Sequence, residues 1–446
     1  MLKLLADALK VHNLRFAARR GTGQLFFLVF LVVFVPRVTL GLLHFRGVDD
    51  VELDLIAKSI AGGHGFANAF RPTIQTGPTA LNSPAYVYFK AGIFALFQDN
   101  ISRGRAMVTV SSLFIALLCV SWLWLSERVG LQSSTGLLAA FLSAFLPVYG
   151  WVEMQGTYEV VLTALLAVVL VGTVTGHWRK KAFGFRSAWK VGVLAGGALL
   201  ISSSACAIVA GLLLAFGLLS WGGGHFRAYA RYAAMLIAVM LTMQLPWALR
   251  NYVVLGRPIF LRDGLGLELW LSNNPVAVPN QLENRAGYRY ANHPFVTKDG
   301  LMELQRTGEL RFFDACERNA FLWIRQNPKT FLHLTAARVR LFWFPIMTWK
   351  WQTALRWLVT LGGFFGLAIL ARRRHPMALV IGCMWLLYPP VYYLVSAQAR
   401  YSYPVFQFQV LLCACAITHL AESRLSAPRR GGKPLSSDSE DWVSHG

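Results

Sequence analysis

The sequence predicts an all-α polytopic membrane protein, with about ten spanning helices, interfacial helices and one large outer loop. Three observations predict it. Of 446 residues, 55% are hydrophobic and only 14% charged, and the mean hydropathy is +0.47. A water-soluble chain of this length could not hide so much apolar surface. Stretches of near-span length carry no charge, namely residues 107–125, 136–152, 160–176 and 377–397, and the uncharged run 191–225 is long enough for two helices. Finally, Lys and Arg gather in short segments between the apolar runs, where they fix orientation.

The elements follow in order. Arg15, Arg19 and Arg20 precede the first helix, 24–43, and place the N-terminus in the cytoplasm. That helix has no small-residue cleavage site and reads as an anchor rather than a removable signal. An outer loop follows. Its apolar stretch 85–97 is interrupted by Lys90, and its thirteen residues reach only ~20 Å, so it reads as an interfacial helix that does not cross. Parity then runs through 107–125 inward, 136–152 outward and 158–176 inward, to the basic run HWRKK at 177–181 with Arg186 and Lys190. Two helices within 191–221 lead to Arg227 and Arg231, and the seventh ends at Trp247. The segment 250–350 lies outside. The eighth helix, 355–370, stops at Arg372, Arg373 and Arg374, and the last two flank the short outer loop 398–403. Every basic cluster between helices falls on one side. Both termini are then cytoplasmic, as in a multi-pass protein of a bacterial inner membrane. The expected organisation is a transmembrane module 1–248 with its first outer loop 44–104, an outer segment 249–350 with short helices, C-terminal helices 351–421, and a disordered tail 422–446. No internal repeat is evident, which weighs against a transporter of duplicated halves.

The formal net charge of +22 is explained by this loop asymmetry, so nucleic acid is not an expected partner. Five of the six cysteines lie in apolar runs, Cys316 stands alone in the outer segment, and no paired CxxC pattern suggests structural zinc.

The first outer loop carries the most chemistry. Asp49, Asp50, Glu52 and Asp54 place four carboxylates within six residues, just outside the first helix. A carboxylate at the membrane surface can take the proton of an attacking hydroxyl; the plainer reading is a solvated helix start. A second acidic spot, Glu153 and Glu159, follows the third helix on the same face.

Several segments together resemble the GT-C glycosyltransferases, close to the dolichyl-phosphate-mannose–protein mannosyltransferase family and the lipid A aminoarabinose transferases. They are the acidic loop followed by IAKSIAGGHGF (56–66), the Pro/Tyr interfacial helix from SPAYVY (83–88), and Pro147 with Glu159 twelve residues on. PWALRNY (246–252), GLELWLSNN (266–274), His293-Pro294, Gly308-Glu309, NPKTF (327–331) and RYSYP (400–404) follow in the family's order. The resemblance implies an inverting transferase that uses a polyprenyl-phosphate-linked sugar at the outer face. Its acceptor is a lipid, glycan or protein, and membrane lipids surround it. The family's usual acidic pair aligns with Asp49 and Asp50, whereas some bacterial relatives place their only acid where Glu52 stands, so the base is one of these three. Glu159 completes the acidic set. The aminoarabinose transferases have a metal-binding Glu, then Lys, before the interfacial helix; here those positions are Asn82 and Ser83. A divalent metal is left open, with His44, His64 and His293 on the correct side, and no metal ligand is assigned. The sequence has no Gly-rich phosphate loop for a nucleotide sugar, which agrees with a lipid-borne donor. Arg71, Arg250 and Arg400, with Tyr401 beside the last, are the candidates to neutralise its phosphate. The competing readings are a lipid-linked-sugar flippase, which needs charged residues within spans that hold almost none after Arg37, an O-antigen ligase or polymerase using a diphosphate donor, and a structural subunit of an envelope complex.

Overall fold

The computed structural model describes residues 19–44, 47–48, 50–71, 74–286 and 293–425. Arg15, Asp49, Asn292 and the tail from residue 426 lie outside the described residues. Among the described residues the chain is helical apart from two isolated β-bridges.

Eight helices are long and apolar enough to cross a membrane, judged by length and composition. They are α1 (Arg19–His44), α4 (Asn100–Val129), α7 (Val160–Arg179), α9 (Ala205–Gly222), α10 (Phe226–Leu255), α16 (Lys350–Arg372), α17 (Pro376–Leu387) continued by the short α18 (Pro390–Leu394), and α19 (Tyr403–Leu425) entered through a 3-10 turn, Ala399–Ser402. The other two expected crossings correspond to helices below that length. α8 (Phe185–Ile201) has 17 residues. α5 (Ser133–Phe145) has 13 and is cut off by Pro147, after which the chain makes only the short α6 (Gly150–Gln155).

α3 (Pro84–Leu96) falls where the sequence predicts an interfacial helix and is too short to cross; its 13 residues rise only ~20 Å. It packs on α2 (Glu52–Ala61). Lys90, which breaks its apolar pattern, is fully buried and pairs with Asp54 at 2.5 Å. The long outer segment forms α11 (Leu265–Ser272), α12 (Gln281–Ala286), α13 (Lys298–Thr307), α14 (Glu309–Gln326) and α15 (Pro328–Trp343).

Two main hydrophobic cores result, with a third, small cluster of Leu269, Ala320 and Val395. The larger fills the helix bundle. The smaller joins the first outer loop to the outer segment: Leu53, Ile56, Phe66, Phe70 and Tyr86 pack with Trp247, Leu267, Leu304, Phe312 and Phe313. The two outer stretches are far apart in sequence, and their shared core fixes one against the other.

The structure corrects two readings of charge. Glu153 does not sit in an open outer turn. It is buried, paired with Arg37 at 2.8 Å, and accepts a hydrogen bond from the Tyr403 hydroxyl at 2.9 Å. The spans also contain Arg356, fully buried in α16 and donating to the Tyr149 hydroxyl (3.1 Å), Gln409 Oε1 (2.7 Å) and the Thr360 hydroxyl. Its guanidinium lies over the Phe406 ring, 4.5 Å from the centroid.

Candidate functional site

The site is assembled from three connections that meet outside the bundle. The first is the loop around α2. Glu52 and Asp54 open that helix, where its dipole favours acids, and Lys58 closes it. The chain then turns through Gly62 and Gly63 to Asn68, which adopts a positive φ of 62°. The Asn68 side chain accepts from the Thr76 and Gly77 backbone N–H groups (2.9 and 3.2 Å), closing the loop that bears Arg71.

The second is the turn between α6 and α7. Gly156 has φ 59°, and a Cβ there would meet the Met107 carbonyl at 2.9 Å, so only glycine fits. The Tyr86 hydroxyl donates to the Gly156 carbonyl (2.6 Å) and Lys90 to the Thr157 carbonyl (3.1 Å). These bonds set Glu159 at the entrance of α7, against α3.

The third is the 3-10 turn bearing Arg400 and Tyr401. The outer segment holds it through paired backbone bonds between Pro279–Gln281 and Ala397. Arg338, fully buried, donates to Asn273 Oδ1 (3.0 Å) and to the Ser272 and Leu394 carbonyls. Burial holds its pKa down to about 10.

Charged groups carried by these connections act on one another. Burial raises the Glu268 carboxyl; Arg262 opposes this and the Glu52 carboxylate adds to it. Burial also raises Glu159, opposed by Arg262, Ser202 and Lys90 among others. His293 is pushed down to about 4, chiefly by burial, with Glu52 opposing and Arg285 and Arg71 reinforcing. Glu159, Glu268 and His293 all keep partial solvent exposure. Glu159 accepts one side-chain hydrogen bond, from Ser202 at 3.3 Å. The Arg400 guanidinium lies 3.4 Å from the centre of the Tyr158 ring, and Tyr401 stacks on Tyr392 at 4.9 Å. Arg71 Nε and Arg400 Nη1 are buried without a hydrogen-bond partner among the described residues.

The sequence candidates therefore separate. Glu52 and Arg71 both act on His293, Glu52 also on Glu268, Glu268 and Arg400 on Tyr401, and Arg400 lies over Tyr158, the residue before Glu159. Asp49 lies outside the described residues. Asp50 is exposed and ion-pairs with Lys58. Arg250 stands apart from the other arginines: it donates to the Phe66 (2.7 Å) and Thr79 (2.8 Å) carbonyls and lies against the Phe66 and Trp247 rings, clamping the first outer loop. Sequence reasoning assigned no role to Glu268 or Arg262. Glu268 had a signal, the motif GLELWLSNN, whose Gly266 lets α11 close on α14: a Cβ there would meet the Phe313 carbonyl at 2.4 Å. Arg262 had none.

Among the described residues no three His, Cys, Asp or Glu side chains gather closely enough to hold a metal ion. His44 and His64 are exposed, away from Glu268 and Glu159. The described donor set makes no metal site.

No family model matches the sequence, and a search of curated proteins finds no relative. Solved structures do match. The oligosaccharyltransferase of Archaeoglobus fulgidus in its apo form aligns with a TM-score of 0.55 at 15% identity, over 90% of this chain and 50% of that one. The oligosaccharyltransferase AglB of the same organism, in complex with an inhibitory peptide and a dolichol-phosphate, aligns at 0.53 and 14% identity, over 93% and 52%. The complex with Zn and sulfate aligns at 0.51 and 15%, over 90% and 49%. The likeness shows a GT-C-like fold. This chain spans about half the length of the proteins it matches.

Proposed function

We propose that the protein is an inverting glycosyltransferase that moves a sugar from a polyprenyl-phosphate-linked donor to an acceptor hydroxyl at the outer membrane face. What supports this reading is that Arg262 acts on both Glu159 and Glu268, that Glu52 acts on Glu268 and His293, and that Arg400 lies over the ring of Tyr158, next to Glu159, in a helical membrane protein with a GT-C-like fold. In the proposed step the acceptor oxygen attacks the anomeric carbon, and its proton passes to the Glu52 carboxylate. The bond from that carbon to the phosphate oxygen breaks on the opposite side, and polyprenyl phosphate leaves with the electron pair. Arg400 and Arg71, whose buried donors lack partners, stabilise the departing negative charge. Glu159 and Glu268 orient the sugar hydroxyls. Arg250 is left out because its hydrogen bonds already hold the loop.

The flippase reading draws less support. The charged groups within the spans and beside them are bound by protein partners: Glu153 and Arg356 are buried and Arg37, partly buried, pairs with Glu153.

The test is release of polyprenyl phosphate from a synthetic polyprenyl-phosphate sugar, in detergent, with an envelope fraction as acceptor source. Wild-type protein is expected to turn over, and Glu52→Gln to lose ~10²-fold or more in rate while keeping the same melting temperature. Turnover of the glutamine variant at the wild-type rate would remove Glu52 as base. A wild-type protein inert toward both mono- and diphosphate donors would sink the enzyme reading.

A further inference from the structure

A second concave site lies at the far end of the helices. α7 begins beside Glu159 and, after 20 residues, ends ~30 Å away at Arg179. There the turn after α7, the end of α9 and the first turns of α10 border an open depression of about 760 Å³. Lys181, Arg227, Arg231 and His225 line it, with Trp221 and Phe226 at its rim.

The cations are not neutralised by the protein. Among the described residues the ion pairs are Arg37–Glu153, Lys58–Asp50, Lys90–Asp54 and Arg257–Asp314, and none involves Lys181, Arg227 or Arg231. Orientation in a membrane explains why basic residues collect at this end of the helices. It does not by itself set three of them, all exposed, around one depression, where an anion between them would relieve their mutual repulsion. Lys181 is moreover fixed in the left-handed region, φ 52°, by backbone bonds from Lys181 to Trp178 and from Ala182 to His177.

The rim identifies the kind of anion. Trp221 is 70% exposed and meets Phe226 edge-on at 5.0 Å, as aromatic side chains do at headgroup depth. Leu214, Leu218 and Trp221 follow one another at helical spacing on α9 and are all exposed, so an apolar stripe runs from the bundle surface to the edge of the depression. A soluble phosphate would use the cations alone; a phospholipid uses the cations for its headgroup and the stripe for an acyl chain.

We propose that this depression binds the phosphate headgroup of an anionic phospholipid, drawn from the leaflet opposite the candidate site. Basic pockets between spanning helices take such headgroups by the same combination of charge and depth. The experiment compares retention of phosphatidylglycerol and phosphatidylcholine by the full-length protein in mixed nanodiscs, read by native mass spectrometry after detergent exchange. Wild-type protein is expected to favour phosphatidylglycerol on the order of ten-fold at low salt, with the preference shrinking as salt is raised. The triple variant Lys181→Gln, Arg227→Gln, Arg231→Gln is expected to lose the preference. A charge-matched control, Arg372→Gln, Arg373→Gln, Arg374→Gln, removes three cations from the same end of the helices but none from the depression, and is expected to keep it. Absence of preference in the wild-type protein overturns the proposal whatever the variants do. Equal loss in the control reduces it to general surface charge and also overturns it. Displacement of phosphatidylglycerol by millimolar inorganic phosphate would show a soluble anion to be the ligand and reject the lipid.

Discussion

Glu153 and Glu159 stand six residues apart on either side of one turn, and the fold treats them in opposite ways. Glu153 faces into the bundle, where Arg37 and the Tyr403 hydroxyl satisfy both of its oxygens. Glu159 lies in the candidate site with a single 3.3 Å hydrogen bond from Ser202 and only longer-range help from Arg262 and Lys90. The arginines repeat the contrast: Arg250 is held by loop carbonyls, whereas Arg400 keeps an unpartnered donor over the Tyr158 ring. A buried charge whose bonding capacity is filled by the protein stabilises the fold and has nothing left for a substrate. A charge held in place but left incompletely bonded can act on one.

The comparison breaks most visibly at Glu153. Glu153→Ala leaves the partly buried Arg37 guanidinium without its carboxylate, though still bonded to the Ala144 carbonyl, which should cost up to about 3 kcal/mol and lower the melting temperature in detergent. A double variant, Arg37→Met with Glu153→Leu, should recover much of the loss, since an apolar pair of similar volume needs no desolvated partner. An unchanged melting temperature in Glu153→Ala would show that the pair carries no stability.

Glu309 sharpens the same contrast with pH. It is a buried acid bonded to the Ala80 backbone N–H at 2.7 Å, and burial raises its pKa from 4.5 to about 7, with Asp263 adding and Arg250 opposing. Between those two values the folded state holds a proton that the unfolded state has released. Stability therefore falls as pH rises from about 4.5 to about 7 and levels off above; the gap corresponds to about 3 kcal/mol. Melting temperature should decline over that window, and Glu309→Gln should flatten the decline. An identical pH profile in the variant would remove Glu309 as its source.

Much of this was legible in the sequence, for reasons that differ by element. The spanning helices announce themselves through long apolar runs, because lipid imposes one composition on whatever crosses it. That α3 would be too short to cross was readable from length alone. What separates Glu153 from Glu159 was not readable: both are acids beside one turn, and the partner that captures Glu153 lies 116 residues away in α1. Glu268 and Arg262 likewise reach the candidate site only because two distant outer stretches share a core. Periodicity reports which face of a helix is apolar, but not which loop packs against which.

Glu159→Gln tests the other half of the pair. It keeps the shape and can still bond to Ser202, so folding should change little; any loss to the helix dipole is well under 1 kcal/mol at an end of this kind. Activity should fall ~10²-fold at matched expression if the carboxylate orients the sugar, the scale of loss for a charged group that positions or stabilises reacting atoms. Donor turnover and melting temperature measured on one preparation separate the two outcomes, and unchanged turnover would leave Glu159 only its charge at the start of α7 and its bond to Ser202.

The smallest expected effect distinguishes two arginines by the same substitution. Lysine keeps the charge of Arg400 but not the planar fork that can bond two phosphate oxygens at once. Arg400→Lys should therefore weaken use of the lipid-phosphate donor on the order of ten-fold in kcat/KM, about 1.4 kcal/mol, while Arg400→Ala nearly abolishes it. A guanidinium that only reaches toward headgroups would tolerate lysine, because that contact needs charge alone. Arg250→Lys gives the control. Its two carbonyl contacts, to Phe66 and Thr79, hold opposite sides of one loop, and a single ammonium cannot span both as the guanidinium does. That variant should lower the melting temperature modestly and leave KM for the donor near its wild-type value. Donor-concentration series on the two lysine variants decide the matter: a KM change at Arg250 larger than at Arg400 would reverse the assignment of which arginine meets the phosphate.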